Sequence, residues 1–161
     1  MAKQVKPIPE GARSMTIHLN VRDAAKMIEF YKKAFGAKEI TRFADPSGTT
    51  IMHAMLTIGD SQLMLNDEFP PMQCFSPLAY EGTGTSIYHY VENVDEVFDR
   101  AVKAGATVVM PVQDMFWGDR YGLVKDPSGH LWELATHKED LSPAEMAKRG
   151  EEAMSKSPDC V

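Results

Sequence analysis

Two stretches of this chain decide its fold, TIHLNVRDAAKMIEFYKKAFGA at 16–37 and SIYHYVENVDEVFDRAVKAGA at 86–106. Each reads as a short strand, a helix-capping residue (Asp23 or Asn93), an amphipathic helix and a glycine that ends the helix. Because these features follow in the same order in both stretches, we predict a duplicated strand–helix unit.

The residues after each helix continue the repeat. Short strands are predicted at 38–43 and 107–110, and a strand hairpin follows in each half. The first hairpin turns at Gly59-Asp60, and the second turns at the Asp-Pro-Ser-Gly segment 126–129. Each half is therefore a βαβββ module. The predicted fold class is α+β, with the two modules forming a curved mixed sheet around a cleft.

The predicted organisation has five parts: a flexible N-terminal arm at 1–14, the first module at 15–67, a linker at 68–84, the second module at 85–138, and a C-terminal helix and tail at 139–161. The C-terminal helix is predicted because Ser142, Pro143 and Glu145 form a capping-box pattern, and it should end before Pro158.

The composition argues against several function classes. The chain has 161 residues, with 17 Lys and Arg against 23 Asp and Glu, and a formal net charge of −6. The acidic balance and the lack of a basic stripe argue against nucleic-acid binding, and the lack of a long apolar run argues against a membrane span. The chain has only two cysteines, Cys74 and Cys160, so we expect no structural disulfide. The low cysteine content favours a location in the reducing cytoplasm.

Alternation along each strand assigns side chains either to the helix side of the sheet or to the cleft. Met52 is assigned to the helix side, and alignment of the two halves matches His53 with Arg120. The residues predicted to face the cleft include Thr16, His18, His53, Met55, Gln62, Met64, Asn66, Ser86, Tyr88, Tyr90, Arg120, Gly122 and Glu133.

The segment HLWELA at 130–135 has a single carboxylate, Glu133, inside an otherwise apolar strand. A charged group seldom enters such a strand without a partner. We therefore weigh three interpretations of Glu133. It is an exposed strand-edge carboxylate, one half of an ion pair with Arg120, or a functional cleft carboxylate that acts as a ligand, a base or an acceptor for a substrate.

The paired modules and the motif DPSGHLWEL at 126–134 resemble the vicinal oxygen chelate superfamily, which includes the glyoxalase I, bleomycin-resistance and extradiol-dioxygenase families. The stretch FWGDRYG at 116–122 is similar to the PhnB-like branch of that superfamily. The resemblance covers residues 14–138 and implies a small-molecule ligand and a homodimer.

Metal enzymes of the superfamily bind a divalent ion through four strands, typically with two His and two Glu. The resemblance places these four positions at Thr16, Met64, Ser86 and Glu133, and only Glu133 matches. Thr, Met and Ser are poor ligands for a divalent ion that prefers imidazole and carboxylate donors. We therefore expect no metal and no other cofactor at the standard site.

Three further features leave alternatives open. A shifted metal site could use His18 and His53 together with Glu133, or the two histidines could simply make hydrogen bonds. Trp117 is either an aromatic lid over a flat ligand or ordinary packing. Arg120 either clamps an anionic ligand or pairs with Asp119, Glu133 or Asp126.

The function that these features favour is binding of a small organic molecule without chemistry, in the manner of bleomycin-resistance proteins. The candidate ligand-binding residues are Thr16, His18, His53, Met64, Asn66, Ser86, Tyr88, Trp117, Arg120 and Glu133. One alternative is a metal-dependent lyase, isomerase or dioxygenase of the glyoxalase I type. In that case Glu133 would be the catalytic candidate, as a metal ligand or a proton carrier. Another alternative is a metal-free enzyme in which His18 or His53 is the catalytic base and Arg120 stabilises an anion.

Overall fold

The structure is a computed structural model that describes residues 6–9 and 12–156. It divides into two compact units, Met1–Gly82 (unit 1) and Thr83–Val161 (unit 2). Residues 1–5, 10 and 11 of the expected N-terminal arm, as well as Pro158 and Cys160, lie outside the described residues.

Unit 1 contains one four-stranded mixed sheet and one long helix. Its elements are β1 (Ile17–Val21), α1 (Ala24–Phe35), β2 (Lys38–Ala44), β3 (Ile51–Ile58) and β4 (Ser61–Asp67). The strand order is β1-β4-β3-β2, in which β1 is parallel to β4 and the other neighbours are antiparallel. Two single-turn 3-10 helices follow β4, at Pro70–Met72 and Pro77–Ala79.

Unit 2 repeats this arrangement and adds a helix. Its elements are β5 (Ser86–Tyr90), α2 (Val94–Ala104), β6 (Thr107–Asp114), β7 (Asp119–Lys125), β8 (Leu131–His137) and α3 (Pro143–Lys156). The strand order β5-β8-β7-β6, with β5 parallel to β8, matches that of unit 1. The predicted α+β class and the two βαβββ modules are thus confirmed. The strand predicted at 107–110 extends further in the structure, as β6 at Thr107–Asp114. The extension contains Pro111, which is tolerated because β6 is an edge strand.

The capping signals act as predicted. The side chains of Asp23 and Asn93 accept hydrogen bonds from the backbone N–H three residues later, at 3.2 and 3.4 Å. Gly36 and Gly105 end α1 and α2 in the left-handed conformation, with φ of 68° and 119°. These contacts satisfy backbone groups that a helix end leaves unpaired, so they set where each helix begins and ends.

The last strand of each unit also holds the first turn of its helix. Asp67 accepts a hydrogen bond from the Ala24 backbone N–H at 2.6 Å, and Thr136 accepts one from the Val94 N–H at 2.8 Å. Because these contacts are equivalent, Asp67 of β4 corresponds to Thr136 of β8. Counting back along both strands, Met64 corresponds to Glu133.

Each sheet buries one face against its helix. In unit 1 the buried strand residues include Leu19, Val21, Ala54, Leu56, Leu63 and Leu65, and in unit 2 they include Val124, Trp132 and Leu134. We call the opposite face of each sheet, which points away from α1 or α2, its distal face.

The assignment of Met52 to the helix side is wrong. Met52 is 41% exposed, whereas its neighbour Ile51 is buried. The pairing of β2 with β3 skips Met52, because Phe43 pairs with His53 and Ala44 pairs with Ile51. An extra residue of this kind is a β-bulge, and it shifts the alternation at the start of β3.

Among residues 6–9 and 12–156, no helix is both long enough and apolar enough to cross a membrane.

Candidate functional site

The distal face of unit 2 contains a polar and aromatic cluster, which we call the tyrosine–acid cluster. Strand pairing puts Tyr88 opposite Glu133, Tyr90 opposite Ala135, and Ala135 in turn opposite Tyr121. The members of the cluster are Ser86, Tyr88, Tyr90, Trp117, Asp119, Tyr121, Glu133 and His137. They converge because alternate residues of β5, β7 and β8 point to the same side of the sheet.

Glu133 is half-buried and has partners on the same face of the sheet. Its Oε1 accepts a hydrogen bond from the Ser86 hydroxyl, and its Oε2 accepts one from the Tyr121 hydroxyl at 3.0 Å. Burial and then the contact with Glu133 raise the pKa of Tyr121 well above its ordinary value, so this hydroxyl remains a donor at neutral pH. Glu133 is therefore not a bare strand-edge carboxylate.

Asp119 is the second acid of the cluster, and it is only 4% exposed. Its Oδ2 accepts hydrogen bonds from the hydroxyls of Tyr88 and Tyr90, both at 3.0 Å, and its Oδ1 lies 2.8 Å from His137 Nδ1. Burial acts to raise the pKa of Asp119, but the hydrogen bonds from His137 and the two tyrosines outweigh it and lower this pKa below its usual value. Burial and Asp119 raise the pKa of Tyr88.

His137 lies at the end of β8 between two carboxylates. Its Nδ1 contacts Asp119, and its Nε2 lies 3.0 Å from Asp140 Oδ1. The hydrogen bonds to Asp119 and then to Asp140 raise the pKa of His137 above its usual value. Both ring nitrogens are engaged, so the imidazole offers neither nitrogen to a substrate in this arrangement.

The rings of the cluster are in contact with one another. Ring centroids are 4.9 Å apart for Tyr88 and Tyr90, and 5.9 Å apart for Tyr88 and Tyr121. Trp117 lies edge-on to Tyr121 at 5.6 Å. The rings therefore form a continuous aromatic wall beside the two carboxylates.

The prediction that Arg120 faces the cleft is wrong. Arg120 pairs across the sheet with Thr136, on the side that packs against α2. Its guanidinium makes two hydrogen bonds of 2.7 Å to Asp95 at the start of α2 and one of 3.1 Å to Asp114. None of the three ion-pair partners expected from the sequence is used.

Gly122 is misplaced by the same error. A Cβ at Gly122 would lie 2.8 Å from the ring of Phe98, which is on α2. The turn before β8 is longer than the turn before β4 by one residue, since Lys125 pairs with Leu131 where Thr57 pairs with Gln62. Since Met64 corresponds to Glu133, His53 corresponds to Tyr121 and not to Arg120. A shift of one residue moves a side chain to the other face of a sheet.

Three cluster members, Asp119, Tyr121 and His137, were therefore not expected on this face, whereas alternation along the first strand of the second module did place Tyr90 on it. Alternation along FWGDRYG, read in the correct register, would have identified Asp119 and Tyr121, which are two residues apart. Ser86, Tyr88, Trp117 and Glu133 are brought together as part of one cluster.

The distal face of unit 1 is different in character. The rings of His18 and His53 meet edge to face at 5.9 Å. The Asn66 amide donates to Asn20 Oδ1 at 3.0 Å, and Met64 is the cross-strand neighbour of His18. Thr16 lies just before β1 and is half-buried.

The four positions that the family resemblance assigns to a metal do not suit a divalent ion. Thr16, Met64 and Ser86 offer neither imidazole nor carboxylate, and both oxygens of Glu133 already accept hydrogen bonds. Taken by itself, neither unit groups three His, Cys, Asp or Glu side chains, among the described residues 6–9 and 12–156, so that they could hold a metal ion. The shifted site with His18, His53 and Glu133, which would need residues of both units, stays a prediction.

A polar depression of about 380 Å³ lies at one end of the unit 1 sheet. It is lined by Arg22, Asp23, Thr49, Thr50, Asp67 and Glu68. The Asp67 carboxylate accepts hydrogen bonds from the backbone N–H groups of Ala24 and Ile51, at 2.6 and 2.7 Å, and Arg22 pairs with Glu68. These groups hold the unit together, and we assign them no ligand.

Comparison with known proteins agrees with this fold. The family model of the Glyoxalase/Bleomycin resistance protein/Dioxygenase superfamily matches residues 14–134. An uncharacterized protein of Mycobacterium bovis is 45% identical over 137 residues, which covers 83% of this chain and 86% of that protein.

Two solved structures are similar to the chain. The crystal structure of TioX from Micromonospora sp. ML1 is 32% identical, with a TM-score of 0.59, and the match covers 81% of this chain and 100% of TioX. A PhnB protein from Bacillus cereus is 20% identical, with a TM-score of 0.59, over 77% of this chain and 99% of that one, and this similarity concerns the fold alone. The chain belongs to the Glyoxalase/Bleomycin resistance protein/Dioxygenase superfamily.

Proposed function

We propose that this protein binds a small organic molecule on the distal face of unit 2, and that the ligand combines a flat apolar part with a positive charge. The observation that carries the proposal is the tyrosine–acid cluster itself. Asp119 and Glu133 lie among the rings of Tyr88, Tyr121 and Trp117, and hydroxyl groups orient both carboxylates.

The charge of the cluster supports a cationic ligand. The hydrogen-bond partners of Asp119 and Glu133 are hydroxyl groups and His137, with no Lys or Arg among them in the described part of the chain. Arg120, for which an anion clamp was one of two interpretations, pairs with Asp95 on the α2 side. A positive group over an aromatic ring gains about 0.5–2 kcal/mol, and nearby carboxylates add to the attraction.

Binding without chemistry is favoured over the catalytic alternatives. Glu133, the only residue that matches the metal pattern of the family, already accepts two hydroxyl hydrogen bonds. His137 has both ring nitrogens engaged by carboxylates, so this histidine of the cluster has no nitrogen open to act as a general base. The metal-free alternative with His18 or His53 as the base stays a prediction. The location in the cytoplasm and a cleft shared by both modules stay predictions.

The test is a calorimetric titration of the protein with two probes of similar size and opposite charge, benzyltrimethylammonium and benzenesulfonate. We expect the cation to bind more tightly by about tenfold, from the combined ring and carboxylate attraction. Tyr88→Leu should weaken cation binding by about 3- to 30-fold. The matched control is Tyr80→Leu, since Tyr80 is an exposed tyrosine of unit 1.

Two results of the calorimetric titration would overturn the proposal. One is equal or tighter binding of the sulfonate. The other is an equal loss of cation affinity in Tyr88→Leu and Tyr80→Leu, because the binding would then not depend on the tyrosine–acid cluster.

A further inference from the structure

The loop that carries Trp117 is held by backbone hydrogen bonds at both of its ends. The Met115 N–H donates to the Asp119 carbonyl at 2.8 Å, and the Gly118 N–H donates to the Met115 carbonyl at 3.1 Å. The Gly118 carbonyl in turn accepts from the N–H groups of Lys138 and Glu139, at 2.9 and 3.0 Å. The segment after β8 therefore fixes the backbone on which Trp117 lies.

Gly118 is required for this arrangement. Its φ is +96°, a conformation that L side chains rarely adopt. A Cβ at this position would also lie 2.5 Å from the Glu139 carbonyl oxygen. The loop and the segment before α3 therefore approach each other as closely as a glycine allows.

The helix α3 packs on the neighbour of Trp117. Gly150 is the buried residue of α3, and a Cβ placed there would lie 3.3 Å from Cε2 of Phe116. On the same helix, the Arg149 guanidinium lies 2.9 Å from the Glu139 carboxylate. The Phe116 ring therefore lies against the bare backbone of the helix at Gly150.

A chain of ring contacts leads from α3 to Glu133. The Phe116 and Trp117 rings meet edge to face at 5.0 Å, and Trp117 meets Tyr121 at 5.6 Å. The Tyr121 hydroxyl donates to Glu133. The Trp117 ring thus contacts both Phe116 and Tyr121, and Phe116 in turn lies next to α3 at Gly150.

We infer that α3 is a positioning element of the tyrosine–acid cluster: the absence of a side chain at Gly150 lets Phe116 hold Trp117 against Tyr121. The positioning depends only on the contacts above, whereas its effect on affinity rests on the proposed function. By linkage, a ligand that needs Trp117 in this place also stabilises the docked helix.

The test labels the protein with 5-fluorotryptophan and follows ¹⁹F NMR signals. The chain has two tryptophans, and Trp132 is buried in the core, so it reports on the integrity of the fold. In Gly150→Leu we expect the Trp117 signal to shift or broaden and the Trp132 signal to stay unchanged. The matched control is Glu151→Leu, because Glu151 is the exposed neighbour on the same helix.

The benzyltrimethylammonium titration is repeated on the same variants. Gly150→Leu should raise the Kd by about two- to fivefold, the loss expected from one displaced ring, and Glu151→Leu should leave it unchanged. Gly150→Ala provides a smaller perturbation, since Ala is a better helix former than Gly and its methyl group only presses on Phe116. It should shift the Trp117 signal less than Gly150→Leu does.

Each outcome decides something different. A Trp117 signal that is the same in Gly150→Leu and in Glu151→Leu overturns the inference. If Gly150→Leu loses the Trp132 signal as well, then Gly150→Ala decides, and an unmoved Trp117 signal in that variant overturns the inference. If Trp117 moves but the unaltered protein binds no cation, the positioning role stands and the proposed function fails.

Discussion

The substitution Asp119→Asn tests the tyrosine–acid cluster most directly, because this carboxylate joins three of its side chains. Asp119 is almost fully buried and accepts hydrogen bonds from Tyr88, Tyr90 and His137. Asparagine has the same shape, but its amide nitrogen cannot accept a hydrogen bond, and the side chain is uncharged. The variant therefore keeps the packing and removes the charge.

The magnitude follows from the two tyrosine hydrogen bonds. A hydrogen bond to a charged group contributes about 1.5–3 kcal/mol when it is well shielded from water. Tyr88 and Tyr90 are both partly exposed, which reduces each contribution to about 1 kcal/mol. Adding a modest cost for the altered polar site, we expect Asp119→Asn to lower the free energy of unfolding by about 2–3 kcal/mol.

The pH dependence adds a second expectation. The pKa of Asp119 is lower in the folded state than in the unfolded state. Its contribution to the free energy of unfolding is therefore complete above the unfolded-state pKa and is lost as the pH falls through the folded-state pKa. The pKa of His137 is raised, so its contribution is complete below about pH 6.5 and lost as the pH rises through the folded pKa. The loss of stability in Asp119→Asn should therefore be larger near pH 5 than near pH 9.

Urea unfolding followed by tryptophan fluorescence measures both effects, near pH 5 and near pH 9. The matched control is Asp99→Asn, because Asp99 is exposed on α2. A change within about 0.5 kcal/mol of the control, the range of ordinary surface substitutions, would refute the reasoning. A loss of stability that is equal at the two pH values would refute the part that depends on His137.

Three further predictions address the strand register and the assembly. Gly122→Ala should destabilise the protein by about 1–3 kcal/mol in thermal unfolding, because its Cβ meets the ring of Phe98, whereas Gly84→Ala, with no atom within 4 Å, should cost far less. Arg120→Ala should lower the melting temperature through the lost contact with Asp95 and leave the Kd for benzyltrimethylammonium unchanged, and a weakened affinity would show that Arg120 reaches the ligand. Light scattering should give the mass of a homodimer, and the mass of a monomer would contradict the expectation from the family.

Much of the fold could be predicted from local features of the sequence. The caps at Asp23 and Asn93 and the glycines after both helices depend on residues within one turn of chain. The turn at 126–129 is also local, since the Gly129 N–H donates to the Asp126 carbonyl at 3.0 Å. Local features of this kind were sufficient for the βαβββ order in both halves.

The candidate site was harder to predict because its members come from distant parts of the chain. Asp119 contacts Tyr88 and Tyr90, which are 31 and 29 residues away. Nothing in the residues around Tyr90 indicates that a carboxylate will reach it. The sequence identified Glu133 as unusual, and the partners of Glu133 became known only from the pairing of β8 with β5 and β7.

By itself, the sequence determined the repeated βαβββ order and the family, because caps, glycines, turns and hydrophobic periodicity are all set by residues close together in the chain. The tertiary structure decided that Tyr121 lies in the tyrosine–acid cluster and that Arg120 pairs with Asp95 on α2. The physical reason is that the alternation along a strand tells only that neighbouring side chains point to opposite sides of it. Which of the two sides meets the helix is decided by long-range strand pairing.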